Sequence, residues 1–135
     1  MTVNWTSDIA NMHEHYRAHG SVNTFDEEKL KSLLRFRVDF LREELNELED
    51  NINNPEEVVD ALIDLCVVAI GTLDLFNIDS HVAWDEVLKA NMKKEVGIKP
   101  ERPNPLGLPD LIKPPGWTAP SHEGNHGRLP KYEKD

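Results

Sequence analysis

The sequence predicts an all-α fold, a four-helix bundle followed by an irregular Pro-rich C-terminal extension, and three observations support it. Apolar residues recur at helical spacing in four segments, and no segment gives a convincing strand pattern. Helix-start signals precede three of these segments. Eight of the nine prolines follow Gly97, where regular helix is therefore not expected. We predict a helical domain over residues 1–97 and a Pro/Gly-rich extension over 98–135, partly docked or disordered.

The first two helices are predicted from apolar spacing and from their end signals. The first covers about residues 6–19, and Gly20 is expected to end it. The second covers about 25–52, where Thr24 and Glu27 have the spacing of a capping box. Its apolar residues recur at steps of four and three, so this long helix should bury one stripe.

The third helix is predicted over about residues 55–76, with Asn54 as its N-cap and Pro55 in its first turn. It is apolar on nearly all sides, which is typical of a helix in the middle of a bundle. A helix this apolar needs more cover than the other helices of one chain supply, so we expect a homodimer or homotetramer. A fourth helix is predicted from about residue 79 to before 97.

The charge of the chain excludes several functional classes. The net charge is −10, and residues 26–64 carry thirteen acidic and five basic side chains, or −8 of it. This balance argues against binding to nucleic acid or to an anionic membrane. No run of 18 apolar residues is present, and the N-terminus does not resemble a signal peptide, so a cytoplasmic protein is expected. The single cysteine, Cys66, is expected to be a buried small apolar residue.

The acidic residues of the second and third helices predict a cation site. Glu44 and Glu47 lie one above the other on the second helix, at the border of its apolar stripe. On the third helix, three acids share one sector of about 60°, which Gly71 continues. These are Glu57, Asp60 and Asp64. Acids on an otherwise apolar helix are rare unless they are paired or bind a metal, and oxygen ligands favour Mg²⁺, Mn²⁺ or Ca²⁺.

Simpler interpretations of the same acids stay open at this point. Glu44 and Glu47 alone are typical of a solvated helix face, and Glu57 alone is typical of a first-turn acid that the helix dipole favours. The six histidines show no metal-binding spacing. A di-iron carboxylate bundle would need Glu-x-x-His on two core helices, and that spacing occurs only at Glu123 and His126, in the extension.

Four segments, taken in order, resemble one superfamily. They are FLREELNELED, PEEVVDALIDLCVVAIGTLDLFNID, AWDEVLKANMKK and the KPPGW segment. The first two contain the EExxE…ExxD pattern of the MazG-like all-α nucleoside triphosphate pyrophosphohydrolases. The likeness covers about residues 8–118 and is greatest to short phage and bacterial members. Only nine residues separate Glu47 from Glu57, fewer than in many relatives, and Asp64 is an additional acid.

The resemblance implies a Mg²⁺-dependent enzyme of nucleotide-pool house-cleaning, with Mn²⁺ as an alternative ion. It would cleave a nucleoside triphosphate between the α and β phosphates and release a nucleoside monophosphate and pyrophosphate. Asn91 and Lys94 match a family position that contacts the phosphates or the nucleotide. The resemblance implies as metal ligands Glu44, Glu47, Glu57 and Asp60.

Further roles follow from the activity that the resemblance implies. Glu43 or Asp64 would orient the attacking water, and Arg37 would help neutralise the triphosphate, as would Lys94 and Lys113. The sequence has no GxxxxGK phosphate loop, so a metal would provide most of the phosphate recognition. Five aromatic rings are candidates to stack on or cap the base, although helically spaced aromatics are more often core. These are His13, Phe36, Phe40, Trp84 and Trp117.

Two other functions compete with this interpretation. The first is a non-catalytic acidic helical bundle that serves as an interaction module. Such a module would not need the complete set of four carboxylates, all of which are present here. The second is cleavage of a phosphoribosylated nucleotide, as by phosphoribosyl-ATP pyrophosphohydrolase. Neither nucleic acid nor a membrane is expected as a partner.

Overall fold

The computed structural model describes residues 4–101, 106–108 and 110–132, and it confirms the all-α class. Parts of the predicted extension therefore lie outside the described residues. The chain divides into two compact units, unit 1 (Met1–Ser80 with His126–Asp135) and unit 2 (His81–Asn125). The predicted division after residue 97 stays a prediction. The helices are α1 Trp5–His15, α2 Ala18–Val22, α3 Glu27–Asp50, α4 Pro55–Leu75 and α5 Ser80–Met92, and the strands are β1 Glu95–Gly97 and β2 Asp110–Ile112.

The first predicted helix is interrupted, and this part of the prediction is wrong. Arg17 has a φ of 58°, in the left-handed region, so α1 ends at His15 and the chain restarts as α2. A left-handed residue cannot continue a right-handed helix. Gly20, the predicted stop, lies inside α2. The interruption places His13 and His19 on separate helices.

The start of α3 also differs from the predicted capping box. Asp26 is the N-cap, and its Oδ1 accepts a hydrogen bond from the backbone N–H of Lys29 at 2.9 Å. The hydroxyl of Thr24 instead donates to the carbonyl of Ser21 at 2.7 Å. Asp and Thr are both good caps, so the pattern alone could not choose between two candidates so close together.

Asp26→Ala is therefore expected to lower the free energy of unfolding by about 1 kcal/mol, because the N-terminal N–H groups of α3 lose an acceptor. The matched control is Thr24→Ala, for which a smaller loss is expected. Urea denaturation of both variants measures the difference. A larger loss in the Thr24 variant would restore the capping box and contradict the structure.

The predicted start and end of α4 are confirmed, and one chain covers the helix only in part. Asn54 caps the helix through the N–H of Glu57, and Pro55 occupies the first turn. One face of α4 packs on α3 and α1. Another part of its surface leaves Val59 62% and Ile63 46% exposed. A single chain therefore does not enclose α4.

The core of unit 1 is closed by the C-terminal residues 126–132, here called the strap. Phe76 is fully buried, and Leu129 packs against the cluster that contains it. The guanidinium of Arg128 donates to the carbonyl of Val22 at 2.7 Å and to that of Phe25 at 2.9 Å. The backbone N–H of Arg128 donates to the carbonyl of Phe76 at 2.6 Å. Part of the predicted extension is thus docked on unit 1.

Unit 2 contains a short antiparallel strand pair that the sequence did not predict. Strands β1 and β2 pair with Val96 opposite Leu111. Each strand has three residues, which is too short for an alternating pattern to be recognised. A Cβ on Gly97 would come within 2.6 Å of the Ile112 side chain, so this position requires glycine for the close approach. In the described part of the chain, no helix is long and apolar enough to cross a membrane.

Candidate functional site

The register between α3 and α4 is fixed by one arginine. Arg37 donates from Nε to the hydroxyl of Thr72 and from Nη2 to the carbonyl of Val68, both at 2.9 Å. The two helices run in opposite directions, so moving along α3 corresponds to moving back along α4. Glu44 lies seven residues after Arg37, about 10 Å further along α3. The α4 residue whose charge affects Glu44 is Asp64.

Glu44 is the one acid in the described chain that is classed as buried, with 8% of its surface exposed. Its Oε2 is buried and has no hydrogen-bond partner. Burial raises the pKa of Glu44 above its ordinary value, and the negative charges of Glu47 and Asp64 raise it further, as do a hydrogen bond with Glu47 and the charge of Glu43. The arrangement favours either a proton or a cation at this carboxylate.

Basic side chains do not supply that cation in the part of the chain that is described. Asp74, Glu28 and Asp39 are among the acids that form ion pairs there. None of the ion pairs there involves Glu44, Glu47 or Asp64. A buried carboxylate oxygen without a partner, beside two further carboxylates, is the donor set that a hard cation such as Mg²⁺ fits.

The other predicted ligands are more exposed than the sequence argument assumed. Glu47, Glu57 and Asp60 are exposed, and Asp64 is half-buried. The argument from acids on an apolar helix therefore holds in part for Asp64 and is wrong for Glu57 and Asp60, whereas the burial of Glu44 was not predicted. The helical register places Asp60 one turn from Asp64, at the level of Glu47, and Glu57 about 10 Å from Asp64 along α4. Among the described residues, no three of these four carboxylates have ligand oxygens that all lie within 4.8 Å of one another.

Arg37 lies seven residues before Glu44, on the same face of α3. It is half-buried, and burial lowers the pKa of its guanidinium from the ordinary value. The ring of Phe40 lies 5.5 Å from the guanidinium carbon, and the ring of Phe36 lies 6.3 Å from that of Phe40. Phe36 is exposed, whereas Phe40 is half-buried. One cation and two aromatic rings thus precede the acids along α3.

His13 is placed by a contact that the sequence did not reveal. Its ring is buried, and its Nδ1 lies 2.6 Å from Oδ2 of Asp74, near the end of α4. Nε2 of His19 lies 2.8 Å from the same oxygen. Burial alone would raise the pKa of Asp74, but hydrogen bonds and charge from the two rings outweigh it and leave the pKa below its ordinary value. We call these three residues the His–Asp cluster.

The remaining predicted substrate residues lie in unit 2. Asn91 is exposed in the last turn of α5, and Trp84 is exposed on the same helix. The ammonium groups of Lys94 and Lys113 lie 5.3 and 5.1 Å from the centre of the Trp117 ring. The indole N–H of Trp117 donates to the carbonyl of Ala90 at 2.8 Å. Within unit 2, two predicted phosphate-binding lysines thus meet at one aromatic ring.

Alongside the exposed side of α4 lies a shallow apolar hollow in unit 1. Ile63, Cys66 and Ile70 contribute to it from α4, and Trp5 and Ile9 from α1. Cys66 is half-buried, so the expected burial of its thiol is only partly correct. We define the apolar face of α4 as Val59, Leu62, Ile63, Cys66 and Ile70.

The sequence model of one protein family matches residues 15–91, more than half of the chain. That family is phosphoribosyl-ATP pyrophosphohydrolase. The chain belongs to this family. The phosphoribosyl-ATP pyrophosphohydrolase family is part of the MazG-like all-α superfamily, so the predicted relationship is confirmed. No curated protein matches the chain.

The matched segment contains the carboxylates of α3 and α4 and ends at Asn91. Membership in the phosphoribosyl-ATP pyrophosphohydrolase family supports a pyrophosphohydrolase activity and a nucleotide substrate. Such enzymes are typically metal-dependent, which agrees with the carboxylate arrangement around Glu44.

Proposed function

We propose that the protein is a Mg²⁺-dependent nucleoside triphosphate pyrophosphohydrolase that converts a ribo- or deoxyribonucleoside triphosphate to its monophosphate and pyrophosphate, in nucleotide-pool house-cleaning. The observation that carries this proposal is the buried, unpartnered Oε2 of Glu44 beside Glu47 and Asp64. Three carboxylates with no basic partner among the described residues favour a divalent cation. A protein of charge −10 otherwise repels a polyphosphate.

The carboxylates divide into metal ligands and a water-orienting group. When bound, Mg²⁺ supplies the positive charge that joins carboxylate to phosphate and polarises the phosphoryl group. Asp64, half-buried beside Glu44, is in a suitable place to accept a proton from the attacking water, and Glu43 is the alternative. The proposed ligands are Glu44, Glu47, Glu57 and Asp60.

Cationic and aromatic side chains complete the proposed substrate site. Arg37 keeps its guanidinium fixed through Thr72 and Val68, so it offers a positive charge at little entropic cost. Phe40 beside it provides a flat apolar surface for a base. The other predicted substrate contacts stay predictions for each unit taken by itself. They are His13 in unit 1 and Trp84, Asn91 and Lys94 in unit 2.

Cleavage of phosphoribosyl-ATP is the second candidate function, and the family match favours it. Both reactions break the same bond between the α and β phosphates and both release pyrophosphate. The carboxylate site would therefore serve either substrate, and the difference would lie in the contacts to the base and the second ribose.

The test is pyrophosphate release with Mg²⁺, and with Mn²⁺, across the common ribo- and deoxyribonucleoside triphosphates and phosphoribosyl-ATP. We expect turnover of one or two nucleoside triphosphates, lost in Asp60→Asn. The matched control is Glu49→Gln, an exposed acid of α3 outside the site, which should keep full activity. Turnover of phosphoribosyl-ATP alone would establish the second candidate. No release from folded protein on any substrate would favour the interaction module.

We also propose that the apolar face of α4 is the contact between copies in a homodimer or homotetramer. Val59 and Ile63 are largely exposed on an otherwise well-packed helix, and exposed apolar patches of this kind mark interfaces. Ile63→Lys is expected to shift the protein to monomer in light scattering after gel filtration. Ile98→Lys, at an exposed isoleucine of unit 2, is the control and should leave the mass unchanged. A monomeric wild type would contradict the proposal.

A further inference from the structure

The His–Asp cluster joins three separate elements at one atom. His13 comes from α1, His19 from α2 and Asp74 from the last turn of α4. The two ring nitrogens approach the same carboxylate oxygen, at 2.6 and 2.8 Å. In the part of the chain that is described, this is the one group of three potential ligands whose atoms all lie within 4.8 Å of one another.

We propose that the His–Asp cluster is a second metal site, which binds one divalent transition-metal ion of the zinc class through Nδ1 of His13, Nε2 of His19 and the carboxylate of Asp74. Two imidazole nitrogens and one carboxylate oxygen suit Zn²⁺, Co²⁺ or Ni²⁺, whereas Mg²⁺ prefers oxygen ligands. Three protein ligands leave at least one position for water.

An ion can bind between the three ligand atoms after only small movements of their side chains. Nitrogen and oxygen ligands of tetrahedral zinc, each about 2.0–2.1 Å from the ion, lie about 3.3 Å from one another. The ring nitrogens now lie 2.6 and 2.8 Å from Oδ2, so each must move away from that oxygen by roughly 0.5–0.7 Å. The side chains of His19 and Asp74 are 31% and 23% exposed, which gives an ion access from solvent.

The proposed site is distinct from the carboxylate site. Asp74 lies ten residues beyond Asp64 on α4, about 15 Å along the helix. Arg37 and the His13 ring of the cluster both lie close to Gly71. A Cβ on Gly71 would meet both Nη2 of Arg37 and the Cε1–Nε2 edge of the His13 ring. The guanidinium itself donates to Thr72 and Val68 and not to a ligand atom of the cluster.

A bound ion would connect α1 and α2 to the end of α4. The left-handed residue Arg17 separates the two histidine-bearing helices, and α2 has only five residues. Such a short helix has little stability of its own. Because an ion that binds only the folded state stabilises it, zinc should raise the melting temperature of the wild type. This inference does not depend on the proposed enzymatic activity.

The experiment is a titration of tag-free, full-length protein with Co²⁺, followed by its visible absorption, and with Zn²⁺ by calorimetry. Saturating Mg²⁺ is present throughout to occupy the carboxylate site. We expect one equivalent per chain. His19→Gln and Asp74→Asn should each weaken binding by at least about tenfold, since loss of even a residue that only supports a ligand has such an effect. Both substitutions retain hydrogen-bonding groups, and circular dichroism confirms that the variants fold.

Two controls separate this site from others. His15 is an exposed histidine of α1, the helix that carries His13, and its ring packs on Tyr16. His15→Gln should leave metal binding unchanged. Glu44→Gln changes the carboxylate site and should also leave it unchanged. No saturable binding by the wild type would overturn the proposal. Equal binding by the wild type, His19→Gln and Asp74→Asn would overturn it as well, and so would binding lost only in Glu44→Gln.

Discussion

Glu44→Gln is expected to lower the kcat/KM for pyrophosphate release by at least about a hundredfold. The amide keeps the size of the side chain but removes the charge that the metal requires. The loss should appear at every Mg²⁺ concentration that does not precipitate the nucleotide, with partial recovery at high Mn²⁺. Steady-state assays at several metal concentrations measure it. Full activity in this variant would remove Glu44 from the site.

The same substitution should make the metal-free protein more stable at neutral pH. The pKa of Glu44 is raised in the folded state, so the folded protein binds a proton more readily than the unfolded chain does. The contribution of Glu44 to stability therefore falls as the pH rises from its ordinary pKa through the raised value, and stays low above it. In Glu44→Gln that dependence should be absent.

Denaturation of the metal-free protein at acid and neutral pH tests whether the contribution of Glu44 to stability falls as the pH rises. We expect Glu44→Gln to exceed the wild type at neutral pH and the difference to shrink in acid. Glu49→Gln, on the same helix but outside the carboxylate group, should show no such pH-dependent difference from the wild type. Added Mg²⁺ should stabilise the wild type and have less effect on Glu44→Gln. A variant that is less stable than the wild type at neutral pH would contradict the electrostatic account.

Gly127→Ala is expected to lower the free energy of unfolding by about 3 kcal/mol, the largest effect on stability that we predict. Gly127 has a φ of 53°, and a Cβ there would come within 2.0 Å of the carbonyl oxygen of Phe76. That oxygen belongs to fixed backbone and cannot move aside. The strap would have to lift, and the hydrogen bonds of Arg128 to Val22 and Phe25 would weaken.

Gly124→Ala is the matched control for this prediction. Gly124 also has a positive φ, 78°, but a Cβ there would meet nothing within 4 Å. Gly124→Ala should lower the free energy of unfolding only by the cost of backbone strain, about 1 kcal/mol. Chemical denaturation of the two variants separates strain from collision. Equal losses would mean that the strap does not pack on Phe76 as described.

Local signals were enough to predict the two long helices and the helix faces on which the acids lie. Asn54 and Pro55 marked the start of α4, because capping depends on neighbours three residues away. Glu44 and Glu47 share a face since a helix repeats every 3.6 residues. The register fixed by Arg37 required a contact between helices, but the sequence had placed that residue on the correct face.

Non-local contacts explain what the sequence could not predict. Asp74 lies more than 50 residues from the histidines that it holds, and no spacing rule connects them. The first predicted helix breaks at Arg17, which is neither glycine nor proline, so the sequence gives no signal for the break. The exposure of Asp60 depends on how far α3 covers α4, which is a property of packing and not of helical period. Each difference comes from a neighbour that is distant in the chain.

The strap has a consequence for the order in which the protein is made. Arg128 bonds to carbonyls 106 and 103 positions earlier in the chain, across all of unit 2. At ordinary translation rates of 5–20 residues per second, synthesis of the intervening segment after Ser80 takes roughly 2–9 seconds. During that interval Phe76 and Val22 have no cover from Leu129. The nascent chain therefore exposes an incomplete core on the ribosome, and closure of such distant contacts sets a late, slow step in folding.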